Sequence, residues 1–258
     1  MKKTTADLEF SASLAAERLI DYYGIRSASD IRLEEIAIDR GVFVHRGPLS
    51  GMDGFLLRKG NRGFVRVRQS ISSLGQRRYV IGHELGHWEL HVCVSQAWLC
   101  TSQDIHDYGG STVELEANAF SSALLMPSRL FQPRCNEAFS FQTVKSLADE
   151  FRTSLMASAI RFVQFSNEDC YVVFSQADKV KWFRRSPCGS EQFIWPGTDL
   201  SDESLAYNVD FLDEPLAMTK VPVRAWFPNE RNLEGFELFE QSIMLTEDGL
   251  VMSLLVLI

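Results

Sequence analysis

The segment His83-Glu84-Leu85-Gly86-His87 constrains this chain more than any other stretch. Apolar spacing places it on a helix that begins after Ser73 and runs to about Val92. On a helix, side chains four residues apart lie one above the other, so both imidazoles reach a single point. The residue after the first histidine stands about 100° round the axis, where its carboxylate meets a water beside that point. These positions suit a divalent metal held by His83 and His87, with Glu84 as the general base that takes a proton from a metal-acidified water. Such a pattern also arises by chance, on the order of once in a hundred chains of this size. It would then mark only two histidines on a solvated helix. The distinction rests on a third ligand, which a catalytic zinc needs while leaving a fourth position for water.

His91 keeps the helical spacing but lies about 12 Å from His83 along the axis. That is too far to share an ion, and it reads as a capping or packing residue. His106 falls in the long stretch from Cys93 to Gly110, which reads as loop, and could reach the site. A helix expected from about Ser111 to Met126, which Pro127 must end, offers better candidates. It places Glu114, Ala117, Asn118 and Ser121 on one face, with Leu115, Phe120 and Leu124 in packing. Glu114 suits a ligand carboxylate, and Asn118, one turn on, suits a partner that steadies a metal-bound histidine. Glu116 points elsewhere and reads as a solvated helix glutamate. The small residues Ala117, Ala119, Ser121, Ser122 and Ala123 would let the two helices approach closely.

Two blocks, His83-Glu84-Leu85-Gly86-His87-Trp88-Glu89-Leu90-His91 and Glu114-Leu115-Glu116-Ala117-Asn118-Ala119-Phe120, are followed by Leu124-Leu125-Met126-Pro127 and preceded by Arg77-Arg78-Tyr79. Together they resemble the ImmA/IrrE family of metallo-endopeptidases over residues 74 to 127. The resemblance implies a zinc ion held by His83, His87 and a glutamate of the second helix, Glu114, with Glu116 in reserve. It implies gluzincin-type catalysis with Glu84 as the catalytic residue. Its protein substrate would be a helix-turn-helix transcriptional repressor, cleaved to derepress stress-response or mobile-element genes. Ser121 stands where the family usually has alanine. Manganese (Mn2+) and iron (Fe2+) are alternatives to Zn2+, because affinity order leaves that choice partly to availability. Tyr108 and His106 are the candidates for an oxyanion-stabilising group.

The fold class that follows is α+β, and the chain divides into three parts. A zincin-like metallopeptidase domain, with its HExxH helix and glutamate helix, takes 1–135; a small helix-turn-helix-like element takes 136–166; and a β-rich sensor-like domain takes 167–258. Helical spacing covers Phe10 to Tyr23 and the region around Asp30 to Asp39. Extended runs cover Val42 to Val44, Gly54 to Leu57 and Phe64 to Arg68, with a turn at Lys59 to Gly63. Ser140 opens a helix over Phe141 to Phe151, and Ser154 opens another to about Phe165. Beyond Asn167 the runs Cys170 to Phe174, Val180 to Phe183, Phe193 to Trp195, Val221 to Phe227, Phe236 to Leu245 and Leu250 to Ile258 are all β-like.

A hydrophobic content of 45% with 23% charged residues allows a sizeable core. No stretch approaches the roughly 18 apolar residues that cross a bilayer, and the polar start Met1 to Asp7 has no signal-like run behind it, so the expected address is the cytoplasm. The 5 cysteines lack any CxxC pair, which argues against a disulfide framework and a cysteine zinc knuckle. A net charge of −8 argues against a broad nucleic-acid footprint.

The stretch Thr143 to Ser154 resembles the first helix and turn of a helix-turn-helix, with Leu155 to Phe162 as its second helix. Its positive face is thin (Lys145, Arg152, Arg161), so structural use or protein recognition outweighs direct DNA binding. The β-rich part resembles the sensor-like tail of IrrE-type members. Trp182, Trp195 and Trp226 there are either core or pocket lining, and Leu254 to Ile258 reads as an interior strand. Two rivals to the peptidase reading are a non-proteolytic DNA-binding regulator with a structural metal and a ligand-sensing regulator with a vestigial peptidase. Four protein ligands would mark the structural metal; three with an intact Glu84 would mark the enzyme.

Overall fold

The computed structural model describes residues 4–92, 97–101, 111–188, 192–209, 217–228, 233 and 235–258. It is a mixed α+β fold in two compact units, Met1–Phe131 with Ala148–Ser154, and Gln132–Leu147 with Leu155–Ile258.

In the first unit, helix α1 spans Thr5–Tyr22. It starts earlier than the apolar spacing suggests because Thr4 and Asp7 form a capping box: the Asp7 N–H donates to Thr4 Oγ1 at 3.2 Å and the Thr4 N–H to Asp7 Oδ2 at 2.9 Å. A short 3-10 turn, Ala28–Asp30, leads into α2, Leu33–Asp39. Three strands follow, β1 (Val42–Gly47), β2 (Gly54–Lys59) and β3 (Arg62–Arg68). A fourth, β4 (Ala97–Cys100), lies inside the stretch expected to be loop. Four residues are too few to display a period-2 pattern, so the strand is fixed by its pairing with β2. The order is β1-β3-β2-β4, with β1 parallel to β3 and the other pairs antiparallel.

Helix α3, Leu74–Leu90, packs against β2 and β3 on one side and against α4, Thr112–Leu125, on the other. Ser73 caps it, its Oγ accepting from the Gln76 N–H at 3.3 Å. Most of α3, from Arg78 to Trp88, is buried, so its polar motif sits in the interior. Gly86 makes the helix contact close: a Cβ there would lie 2.9 Å from Ala117 Cα. Helix α4 stops at Leu125, two residues before Pro127, and α5 (Ser128–Phe131) closes the unit's first segment.

The second unit holds a 3-10 turn (Gln132–Asn136), the start of α6 (Phe141–Phe151), α7 (Leu155–Phe165) and five strands, β5 (Asp169–Gln176), β6 (Lys179–Arg185), β7 (Thr219–Val221), β8 (Leu238–Met244) and β9 (Val251–Leu257). All pairs are antiparallel in the order β6-β5-β9-β8-β7, which makes β9 the central strand.

Several expectations need correction. Phe193 to Trp195 is not a strand, and Trp195 is 67% exposed. The run from Val221 to Phe227 leaves the sheet at once, because Pro222 has no N–H for the ladder and a 3-10 turn, Val223–Ala225, follows. Arg161 does not contribute to a positive face: it is buried, its guanidinium lies 4.4 Å from the Phe165 ring centre, and Nη1 donates to Gln164 Oε1 at 2.8 Å. Trp226 is core, donating its indole N–H to Glu240 Oε2 at 2.8 Å, and Trp182 stacks on Phe174 with ring centres 4.0 Å apart. Among the described residues no helix is long and apolar enough to cross a membrane.

Candidate metal centre

The packing of α3 on α4 sets the site. His83 and His87 stand one turn apart on α3, and their Nε2 atoms lie 3.1 Å from each other. Glu114 occupies the first turn of α4, where the helix dipole favours a carboxylate. Its Oε2 lies 3.0 Å from His83 Nε2 and 3.4 Å from His87 Nε2. A fourth donor comes from the sheet: Cys100, the last residue of β4, places Sγ 3.6 Å from His87 Nε2. Among the described residues these four, His83, His87, Cys100 and Glu114, converge with all donor atoms within 4.8 Å of one another.

The spacing fits a tetrahedral ion. Zinc–nitrogen and zinc–oxygen bonds of about 2.0–2.1 Å give donor–donor edges of about 3.3 Å, and a zinc–sulfur bond of about 2.3 Å gives a nitrogen–sulfur edge of about 3.6 Å. Four of the six edges, at 3.0, 3.1, 3.4 and 3.6 Å, lie near these values, and the two from Cys100 Sγ to His83 and Glu114 fall within 4.8 Å. The charges around the donors act differently on each group. Burial pushes His87 down to about 4, helped by the charges of His83 and His91 and opposed by Glu114. Burial also works against an ionised Glu114, but hydrogen bonds to His83 and His87 hold its carboxyl down at about 2. His83 is also resisted by burial, yet Glu114, Glu84 and Asn118 hold it above the usual histidine range.

Each histidine is oriented from behind. Asn118 Oδ1 lies 2.9 Å from His83 Nδ1, so that nitrogen carries the hydrogen and Nε2 presents its lone pair. Tyr79 donates its hydroxyl to the Asn118 carbonyl at 3.3 Å, and Ser121 donates to the Tyr79 carbonyl at 2.8 Å. For His87 the partner is His91: their Nδ1 atoms are 3.0 Å apart, and His91 Nε2 lies 3.1 Å from Glu116 Oε2. With one ring hydrogen on each imidazole, His91 donates to the Glu116 carboxylate, accepts from His87, and so leaves His87 Nε2 open toward the ion. His91 is therefore more than a cap, and Glu116 is not merely solvated: it sits two residues behind the cluster rather than in it. The i, i+4, i+8 spacing of the three histidines was the available signal for this relay.

Glu84 is fully buried, and neither carboxylate oxygen has a hydrogen-bond partner among the described residues. Burial pushes its carboxyl up to about 7, against the pull of His83 and of the nearby Cys100 thiol, which comes close without a well-formed hydrogen bond. Gly54 of β2 makes room for it: a Cβ there would lie 2.2 Å from Glu84 Oε1. Cys100 was missed by sequence reasoning, since no spacing links it to the motif and it reaches the site only through β4. His106 and Tyr108 lie outside the described residues.

Residues 37–163 match the family described as IrrE N-terminal-like domain, a peptidase family. Among solved structures the chain is similar to a Mycobacterium tuberculosis transcriptional regulator, with 17% identity, a TM-score of 0.65, and coverage of 95% of this chain and 76% of that one. At that identity the likeness concerns fold alone. No curated protein matches the chain.

Proposed function

We propose, for a chain whose residues 37–163 belong to the IrrE N-terminal-like family of metallopeptidases, that it is a zinc-dependent endopeptidase of the gluzincin type acting on a helix-turn-helix transcriptional repressor. The observation that carries this reading is the pairing of a compact four-donor cluster with a buried carboxylate, Glu84, that has no hydrogen-bond partner among the described residues.

His83 Nε2, His87 Nε2 and Glu114 Oε2 would hold the ion. Zinc, when bound, supplies Lewis acidity that polarises a peptide carbonyl and acidifies a water. Glu84 takes the proton of the attacking water and passes it to the leaving amine, a role that suits a buried carboxylate with both oxygens free of other hydrogen bonds among the described residues. Asn118 and His91 hold the two imidazoles in their working orientation. In functional terms the chain divides into a catalytic part, 1–135, a helical part, 136–166, and a sensor-like part, 167–258. A regulatory substrate is favoured by the family and by the fold shared with a protein named as a transcriptional regulator. The expected address is the cytoplasm, where such repressors act.

Cys100 favours a second reading. A fourth protein donor is the mark of a closed, structural zinc site. Against it stands Glu84, which a purely structural centre gives no reason to bury unpaired. The test is incubation of the zinc-loaded protein, as wild type and as Cys100→Ala, with helix-turn-helix repressors encoded beside its gene, followed by mass spectrometry. A discrete cut that a chelator abolishes supports the peptidase; intact repressors throughout, with zinc firmly bound, support the structural centre.

A further inference from the structure

The fourth donor bears directly on how such a peptidase would be held in check. We propose that the Cys100 thiolate closes the fourth position of the zinc centre in the resting protein, so that the enzyme is latent until the sulfur leaves. This rests on the peptidase reading of the same site and adds its regulation.

Three observations converge. The Cys100 sulfur lies 3.6 Å from His87 Nε2, the nitrogen–sulfur edge of a tetrahedral centre. It belongs to a strand rather than to the motif helix: β4 is held by β2, with Cys100 paired to Gly54, and the Cys100 carbonyl accepts from the Asp53 N–H at 2.9 Å. Its position is thus anchored independently of the metal. The buried, unpartnered Glu84 carboxylate lies on the same side, behind Gly54. The sulfur therefore occupies the place beside the base that the attacking water needs. Binding converts the thiol to a thiolate with one proton released to solvent, and a ligand set of two neutral imidazoles and two anions balances the charge of a divalent ion. Opening the centre requires only that the thiolate be exchanged for water, with a proton returned to the sulfur.

Cobalt substitution reads this without relying on catalysis. Wild-type protein loaded with one equivalent of Co2+ is expected to show a near-ultraviolet thiolate-to-cobalt charge-transfer band. Cys100→Ala and the conservative Cys100→Ser should bind cobalt and lack the band. Acetohydroxamate, a probe for an open position, should then bind the cobalt-loaded Cys100→Ala at least tenfold more tightly than wild type. X-ray absorption of the zinc-loaded wild type should find one sulfur at about 2.3 Å, a measurement that does not depend on either variant folding. A cobalt-loaded wild type without the band, or a band that persists in Cys100→Ala, overturns the assignment and leaves the His83–His87–Glu114 centre standing. A wild type that binds no cobalt overturns both.

Discussion

At the scale of single residues, the orientation of each histidine proposed as a ligand depends on a partner outside the donor cluster. Asn118 holds the His83 ring through a 2.9 Å hydrogen bond. Asn118→Ala is expected to lower zinc affinity about tenfold to a hundredfold without unfolding the protein, as measured by competition with a chromogenic chelator; unchanged affinity would remove Asn118 from that role. Thiol reactivity gives a second check. Burial pushes the Cys135 and Cys170 thiols up to about 12, so both stay protonated near neutral pH, whereas Cys188 is exposed. Iodoacetamide should label Cys188 well before Cys135 or Cys170, with mass spectrometry following each site. Sequence reasoning reached His83, Glu84 and His87 through helical spacing, and Glu114 with Asn118 through their shared helix face together with the family resemblance. It could not reach Cys100, whose place comes from a strand pairing, nor the Glu116 end of the Glu116–His91–His87 relay, which depends on how two helices lie against each other; only the histidine spacing of that relay was on view in the sequence.

At the scale of elements, the distance between α3 and α4 decides whether the site exists. Glycine at 86 and alanine at 117 permit the approach, and a methyl group added at Gly86 would meet the α4 backbone. Gly86→Ala should cost about 1–3 kcal/mol in urea unfolding and also weaken zinc binding, because moving α4 carries Glu114 away; full stability with intact zinc affinity would contradict this. In the other unit, Glu240 is buried and accepts from the Ala206 N–H at 2.9 Å, the Trp226 indole at 2.8 Å and the Ser242 hydroxyl at 2.7 Å. Glu240→Leu would strand those donors and should cost about 2 kcal/mol or more. The long helices were legible because caps, periodicity and Pro127 mark them. The short strands β4 and β7 were not, since hydrogen bonds to distant partners set their limits.

At the scale of the whole molecule, metal binding and folding are one equilibrium. The donors come from α3, α4 and β4, elements brought together only by the folded first unit. Zinc at a hundredfold above its dissociation constant should therefore stabilise the native protein by about 2.7 kcal/mol. Scanning calorimetry should show the corresponding rise in Tm in wild type and none in His87→Ala. The α+β class and the order of a helical peptidase part before a β-rich part were readable from composition shifts along the chain. The parallel pairing of β1 with β3 was not, because strand order is a property of the assembled sheet.

The most direct test concerns Glu84. Glu84→Gln keeps the side chain's shape and removes its capacity to take a proton. Made in the Cys100→Ala background, which leaves the fourth position open, the variant should bind zinc as its Glu84 parent does, by elemental analysis of the purified protein, while its cleavage of a cognate repressor falls by about a hundredfold or more. Cleavage at the parent's rate, with zinc in place, would contradict the assignment of Glu84 as the base.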